Sequence, residues 1–332
     1  MLNIRTSLLL SFILLPAISC KYKSPKPDIS NIKLEIKIDR FEQDLFSHSQ
    51  DTSLTSAFAK KYGNFWTVYV GNIMRLGNPA DPTISVALSQ FLADPSINEL
   101  YQDCFKKYPK LTQQEKELTT AFKYFHHYFP NKNIPRIVSF VSGFSLGMAA
   151  LDSIMGIGLD MYLGSDYEKY PFPEYQKKRM QPENIIPDCM YSWVSTEFEF
   201  DSDKDDLLSN MIYEGKMMYV MDLVLPDMQD SLKIAYTKNQ MEWCKKNETN
   251  TWKYFIDNNL LYSTNKNEFY KKYFSEAPFT SGFPQDSPCK IAVWLGWQIV
   301  RSYMKNNAEI GIIQLLEQND AQFILKNSKY KP

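Results

Sequence analysis

One segment near the carboxyl end of the chain, IAVWLGWQIV (291–300), is apolar on nearly every side when drawn as a helix. A helix without a polar face is either buried in a protein core or spans a membrane. Lys290, Gln298 and Arg301 lie in or beside this segment and argue against a span. We therefore predict a buried helix, around which the rest of the fold has to pack.

The start of this helix is marked by two residues that favour helix N-termini. Ser287 suits the N-cap and Pro288 suits the first helical position, so the helix is predicted over 288–304. Helical periodicity extends over most of the remaining chain. The other predicted helices cover residues 39–46, 184–200, 205–223, 239–258, 267–274 and 310–316, with several more between 51 and 129.

Three short segments have the pattern of β-strands. IKLEIKI (32–38) alternates apolar and charged residues, which is typical of a half-buried strand at a sheet edge. Residues 134–141 and 151–159 are predicted as central strands, separated by a glycine-bearing turn at 143–147. Because no internal repeat and no linker follows residue 31, we predict one α+β domain over 32–332, predominantly helical with a small sheet.

Charge and size exclude some classes of protein. Lys and Arg number 37 against 38 Asp and Glu, whereas proteins whose main role is to bind nucleic acid usually have a basic excess. We therefore predict no nucleic-acid partner. With 332 residues, 44% of them apolar, the chain buries a large core without help from metals or disulfides.

The cysteines beyond residue 20 match no zinc or redox spacing. They are Cys104, Cys189, Cys244 and Cys289. We predict that they are core thiols, although an exported protein also permits disulfides.

The first twenty residues resemble a bacterial lipoprotein signal. Arg5 is followed by an apolar run over 8–15 and then by A-I-S-C, in which small residues precede Cys20. This layout predicts that 1–19 is a cleaved signal peptide and that Cys20 is acylated, by chains such as palmitate, and anchors the protein in membrane lipid. Residues 20–31 are predicted to be a short tether. The alternative is an ordinary signal peptide with Cys20 as a spectator.

No familiar catalytic motif is present in the sequence. The histidines, His48, His126 and His127, are not spaced as metal ligands, and H-E-x-x-H, G-x-S-x-G and the P-loop are absent. The acidic stretch DSDKDD (201–206) lacks the glycine and the final glutamate of a calcium loop, so a solvated loop is preferred. The glycines of GIGLD (156–160) are better explained by turn and strand geometry than by a dinucleotide site. We predict no catalytic residue, cofactor or metal.

One carboxylate stands in unusually apolar surroundings. Glu214 lies in NMIYEGKMMYVMDLVLPD (210–227), among methionine and tyrosine residues. Such a group should be paired, hydrogen-bonded or raised in pKa. Its side chain either reaches solvent together with Lys216 or forms a buried pair with Arg301 or Lys290.

Several long stretches together carry a resemblance to a known family. They are LDMYLG (159–164), MIYEGKMMYVMDLVLPD (211–227), MEWCKKNETNTWKYFIDNNLLYST (241–264), IAVWLGWQIVRSYMKNN (291–307) and NSKYKP (327–332). With the lipoprotein start and IKLEIKIDRFEQDLF, the chain resembles the GldB family of gliding motility lipoproteins over nearly its whole mature length. The resemblance implies an outer-membrane-associated lipoprotein that is needed for gliding, works beside the type IX secretion machinery and has no established catalytic activity.

The C-terminal half also resembles predicted zinc peptidases, which carry H-E-x-x-H on one helix and E-G on the next. Glu214-Gly215 corresponds to E-G, but the preceding segment PDCMYSWVSTEFEF (187–200) has no histidine. The resemblance therefore implies a zincin-like fold that has lost its metal motif, with a remnant groove at Glu214, Trp193 and Tyr213.

These features lead to one prediction of function and two alternatives. We predict a non-catalytic component of bacterial gliding motility, anchored in the outer membrane through Cys20 and associated with type IX secretion and other envelope proteins. The lack of an acidic run after Cys20 favours the periplasmic face. The first alternative is a non-catalytic binder of peptide or glycan, with Tyr191, Trp193 and Tyr213 lining its cleft. The second is a metallopeptidase with unusual carboxylate ligands.

Overall fold

The computed structural model describes residues 26–47, 54–81, 83–200 and 204–332. The predicted signal peptide, the lipidation site Cys20 and the histidine His48 lie outside the described residues.

Helices make up most of the described chain. In chain order they are α1 Phe41–Ser47, α2 Leu54–Tyr62, α3 Asn64–Val68, α4 Ile84–Ala93, α5 Pro95–Lys107, α6 Thr112–Tyr128, α7 Glu174–Lys177, α8 Ile185–Glu197, α9 Leu207–Val224, α10 Asp230–Ile234, α11 Lys238–Asp257, α12 Lys266–Phe269, α13 Ile291–Asn306, α14 Ile312–Glu317 and α15 Ala321–Ser328. Helices α3 and α12 continue into π-helical turns, Tyr69–Ile73 and Tyr270–Phe274. Short 3-10 turns cover Leu159–Tyr162, Pro182–Asn184 and Leu260–Tyr262.

Short strands form one mixed sheet. They are β1 Ile38–Arg40, β2 Arg136–Phe140, β3 Met148–Leu151 and β4 Ile154–Gly158, in the spatial order β1-β2-β4-β3. β1 and β4 both pair in parallel with β2, and β3 pairs antiparallel with β4. The predicted α+β architecture, mostly helical with a small sheet, is confirmed.

The sheet lies between two apolar cores. Along β2, Val138 and Phe140 face one core and Ile137 faces the other, as the period of two along a strand requires. The first core contains the rings of the N-terminal helices, among them Phe41, Phe65, Trp66 and Tyr69. The second contains the apolar faces of α6 and α8 and one side of α9.

Helix α9 belongs to two cores at once. Its Met217, Val220 and Met221 face the core on the sheet, while Leu208 and Met211 face a third core around α11, α13 and α15. Helix α13 is buried over most of its length, as its apolar sequence predicts. The two helices therefore form the centre of the C-terminal half.

Helices α9 and α13 cross at a pair of glycines. A Cβ atom added to Gly215 would lie 2.2 Å from the carbonyl oxygen of Gly296, and a Cβ on Gly296 would lie 1.8 Å from the carbonyl oxygen of Met211. Atoms do not approach so closely without a shift of backbone. Glycine at both positions is therefore what allows this crossing.

The edge strand is shorter than predicted. Ile36 and Ile38 are buried within the predicted strand 32–38, but the ladder begins only at Ile38. Upstream, the amide of Ile36 donates to Thr119 Oγ1 of α6 at 2.9 Å, a bond that replaces a strand partner. β1 is an edge strand, as predicted. Contact with the domain also begins within the predicted tether, because Lys26 pairs with Asp227.

The predicted strand 151–159 is wrong in its boundaries, because it contains parts of two strands. β3 ends at Leu151 and β4 begins at Ile154. Asp152 and Ser153 form the turn between them, and both are residue types that favour turns through their side-chain hydrogen bonds.

The predicted start of the last long helix is also wrong. Helix α13 begins at Ile291, after Lys290 in a left-handed conformation with φ of 53°. Ser287 Oγ instead accepts from the amide of Thr280 at 3.3 Å, and the carbonyl of Pro288 accepts from Thr280 Oγ1 at 2.5 Å. These two residues fasten the loop before the helix.

We expect Gly296→Ala to lower the free energy of unfolding by about 3 kcal/mol or more, because the added methyl group collides with backbone. Urea unfolding of the purified protein measures this. Gly71→Ala is the matched control, since its added Cβ would have no neighbour closer than 3.6 Å, and alanine is favoured over glycine in a helix. Equal unfolding midpoints for Gly296→Ala and the unsubstituted protein would contradict the prediction.

Candidate functional site

The predicted site residue Glu214 is hydrogen-bonded to a phenol. Tyr191 of α8 donates its hydroxyl proton to Glu214 Oε2 of α9. Burial raises the pKa of Glu214, while the Tyr191 hydrogen bond and the positive charge of Lys290 act in the opposite direction. The predicted pairing with Arg301 is wrong, and Lys290 forms its ion pair with Glu276 at 2.8 Å.

The face of α8 that carries Tyr191 also carries Ser195, one helical turn away. The Ser195 hydroxyl is buried. In H-E-x-x-H the two histidines lie four residues apart on one helix, and Tyr191 and Ser195 have the same spacing on α8. A phenol and a hydroxyl replace the imidazoles, so the residues present do not fit zinc.

The other predicted groove residues lie apart from this pair. Trp193 is buried, and its indole N–H lacks an acceptor within the described part of the chain. Tyr213 donates to the carbonyl of Phe198 at 2.9 Å and lines a separate cleft. Tyr191 lines a second cleft together with Asp188 and Ser192 of the same helix. The structure thus places Tyr191, Trp193 and Tyr213 in three different environments, and ligand binding at a remnant groove stays a prediction.

The cleft beside Tyr213 has a volume of about 440 Å³. It lies between α9, the segment after α8 and the α14–α15 junction, and we call it the Lys216 cleft. Phe198, Phe200, Ile212, Tyr213, Met217 and Leu316 form most of its apolar wall. Lys216 reaches it from α9.

Within the described residues, the hydrogen bonds of the Lys216 ammonium go to backbone carbonyls. Its Nζ donates to Leu316 O at 3.2 Å and to Gln318 O at 2.7 Å. Burial lowers the pKa of Lys216 to about 8. The predicted alternative in which this side chain simply reaches solvent is wrong, because the residue is only 6% exposed.

The second cleft contains a network of charges. Arg179 pairs with Glu276 and, at 3.2 Å, with Asp188, which also accepts from the Tyr162 hydroxyl at 2.9 Å. Burial raises the pKa of Asp188, against the opposing charge of Arg179. Every cation in this network has a carboxylate partner, so a structural role accounts for the charges of this cluster.

A third polar cluster fastens α9, α10 and α13 together. Arg301 contacts Asp222 at 2.7 Å and Asp230 at 2.8 Å, and its guanidinium lies 3.8 Å from the ring centroid of Trp297. Lys233 pairs with Asp222 at 2.8 Å. Two carboxylates thus balance two cations, and this is a structural network.

The loop after β2 is fastened by a buried carboxylate. Asp160 accepts from the amides of Ser142 at 3.0 Å and Phe144 at 2.6 Å, and burial raises its pKa. Gly156 and Gly158 sit in β4, where a Cβ would meet Phe140 at 2.9 Å and Leu146 O at 2.1 Å respectively. Strand geometry explains these glycines, as predicted.

The cysteines and histidines considered as candidate site residues lie in positions that a structural role explains. The thiols of Cys104, Cys189, Cys244 and Cys289 are free and buried, as predicted. His126 is half-buried and His127 is exposed on α6. Among the described residues, no group of His, Cys, Asp and Glu side chains is placed to hold a metal ion. No helix in the described ranges is long and apolar enough to cross a membrane.

Sequence reasoning missed the Lys216 cleft. One signal was available, because Lys216 is a lysine in a helix that has no polar face. The opposite wall comes from α14 and α15, about a hundred residues away in sequence, as the bond from Lys216 to Leu316 shows. No local pattern links such distant segments.

Comparison with known proteins gives one match. A family model described as gliding motility protein GldB matches residues 22–332. No curated protein and no solved structure matches the chain significantly.

We expect Lys216→Met to leave the free energy of unfolding at pH 7 unchanged or to raise it by up to about 2 kcal/mol, because it removes a buried charge without a counter-ion. Burial places the pKa of Lys216 near 8 in the folded protein, below its ordinary value of 10.5. The destabilisation by the buried Lys216 charge is therefore fully present below pH 8 and decreases as the pH rises towards 10.5. Across this range the free energy of unfolding of the wild type should rise relative to that of the variant.

The contrasting variant for this prediction is Arg301→Met, which leaves Asp222 and Asp230 to share Lys233 and should lose about 3 kcal/mol or more. Urea unfolding at several pH values compares the three proteins. A large loss for Lys216→Met at pH 7 would show that the lysine is needed for stability.

Proposed function

The chain belongs to the GldB family of gliding motility proteins, and from this premise we propose that it is a non-catalytic lipoprotein component of the gliding apparatus. We propose further that Cys20 anchors it in the outer membrane, facing the periplasm, where it works with the type IX secretion machinery and other envelope proteins. The family match over 22–332 carries the proposal, since it covers nearly all of the chain after Cys20.

The beginning of the described chain supports an anchor close to the domain. Lys26 pairs with Asp227, and Ile29 packs against the core on the sheet. Five residues lie between Cys20 and Lys26, and so short a segment spans at most about 20 Å. An acylated Cys20 would therefore hold the face around Asp227 near the membrane.

The chemistry between α8 and α9 supports the absence of peptidase activity. Zinc hydrolysis uses imidazole or carboxylate ligands and an open position for water. Here Tyr191 contacts Glu214, and Ser195 lies four residues further along α8, so neither of these two α8 positions carries an imidazole. We propose that the α8–α9 pair is a zincin-like framework in which a hydrogen bond has replaced the metal.

We expect Cys20→Ala to abolish membrane anchoring and to reduce colony spreading to the level of a gene deletion, because two or more acyl chains are needed for stable attachment. Mass spectrometry of the mature terminus, membrane fractionation and spreading assays measure this. Ser24→Ala, in the same tether, is the control and should behave as wild type. Normal spreading of the Cys20→Ala strain would refute the anchoring role.

We expect the double substitution Tyr191→His with Ser195→His to create a site that binds about one zinc ion per chain, with Glu214 as third ligand. Metal analysis after dialysis measures the stoichiometry, and Glu214→Gln in the same background should weaken zinc binding at least about tenfold. Tyr191→His with Thr196→His is the matched control, since Thr196 points away from Glu214 on the exposed side. A folded double variant without zinc would contradict the zincin-like framework.

A further inference from the structure

We propose that the Lys216 cleft binds a carboxylate group that is carried on an apolar body. The site is independent of the anchoring and gliding roles proposed above.

The first observation is a buried cation that has no carboxylate partner among the described residues. Buried lysines within the described ranges are Lys216 and Lys233, which are 6% and 8% exposed. Lys233 pairs with Asp222 at 2.8 Å, whereas none of the described carboxylates pairs with Lys216. A charge moved out of water without a partner is costly, so a bound anion would be strongly favoured at this position.

The second observation is that the described residues supply two hydrogen-bond acceptors to the Lys216 ammonium. An ammonium group has three protons, and carbonyls of the α14–α15 junction accept two of those of Lys216, at 3.2 Å and 2.7 Å. Capping the carboxyl end of α14 explains these two bonds. It explains neither the remaining proton nor the cleft beside it.

The third observation is the apolar wall around the charge. Phe198, Ile212, Met217 and Leu316 line the cleft, and Ile313 at its edge is 46% exposed. A volume of about 440 Å³ is within the usual range of small-molecule sites, which are mostly apolar with a few placed polar groups. The body of the ligand should therefore be apolar.

The charges at the rim restrict the ligand to a single negative charge. Exposed Glu199 and Glu317 both line the cleft and would repel a phosphate or a polyanion. Lys132, the other cation of the cleft, is already paired with Glu197 at 3.3 Å. A carboxylate at Lys216 is the anion that fits these surroundings.

Titration calorimetry with the acylated full-length protein in nanodiscs tests this proposal, with empty nanodiscs as the reference for partitioning into lipid. The probes are octanoate and octanamide, which share an apolar chain and differ in charge. We expect octanoate to bind at least about tenfold more tightly than octanamide. Equal affinities, or no binding of octanoate at about 10 mM, would overturn the proposal.

Substitutions test whether octanoate binds in the Lys216 cleft. Lys216→Met should weaken octanoate binding at least about tenfold and leave octanamide unaffected, whereas Lys238→Met, on a side chain 89% exposed, should change neither. Ile313→Glu places a negative charge at the mouth without disturbing the core and should also weaken octanoate binding. Unchanged octanoate affinity in both cleft variants would refute the site.

A further binding experiment tests whether the carboxylate belongs to a fatty acid or to the carboxyl end of a protein. The peptide acetyl-Leu-Leu-Phe with a free carboxyl end is compared with its amide and with octanoate. Tighter binding of the free peptide would identify the carboxyl end of a protein as the ligand, and tighter binding of octanoate would identify a fatty acid. Either result supports the site, and an equally tight peptide amide would count against it.

Discussion

Helices α9 and α13 approach each other closely because each has a glycine where they cross. A Cβ atom at Gly215 or Gly296 would collide with the backbone of the other helix, and the contact between the helices would open. α9 would then lose its place between the core on the sheet and the core around α13. The packing of both halves of the chain depends on this one crossing.

The enclosure of α9 explains the unusual polar chemistry of the molecule. Three ionisable side chains of this helix, Glu214, Lys216 and Asp222, point into interior or half-interior surroundings. Asp222 is neutralised by Arg301 and Lys233, and Glu214 receives a hydrogen bond from Tyr191. In the part of the chain that the structure describes, the partners of Lys216 are carbonyl oxygens. The same helix thus contains a stabilising network, a hydrogen-bonded acid and a charge that lacks a counter-ion.

The sequence predicted those features that depend on local periodicity. The apolar run 291–300 correctly indicated a buried helix, and the alternation of 32–38 correctly indicated an edge position. The predictions failed where residues that are distant in sequence form hydrogen bonds with groups that the local pattern assigned to a helix cap or a strand. Thr280 engages Ser287 and Pro288, so α13 begins later than its capping signals indicate. Thr119 engages the amide of Ile36 and shortens β1. The clefts are formed by segments far apart in sequence, and local periodicity carries no information about which distant segments contact each other.

Because α9 contributes to two cores, its position affects how the protein unfolds. A fragment that ends before α9 would expose the apolar surface of α6 and α8, and a fragment that begins at α9 would expose Met217, Val220 and Met221. Neither piece is an autonomous folding unit in this arrangement. The chain should therefore melt as one cooperative body, and limited proteolysis between its halves should leave the two pieces associated.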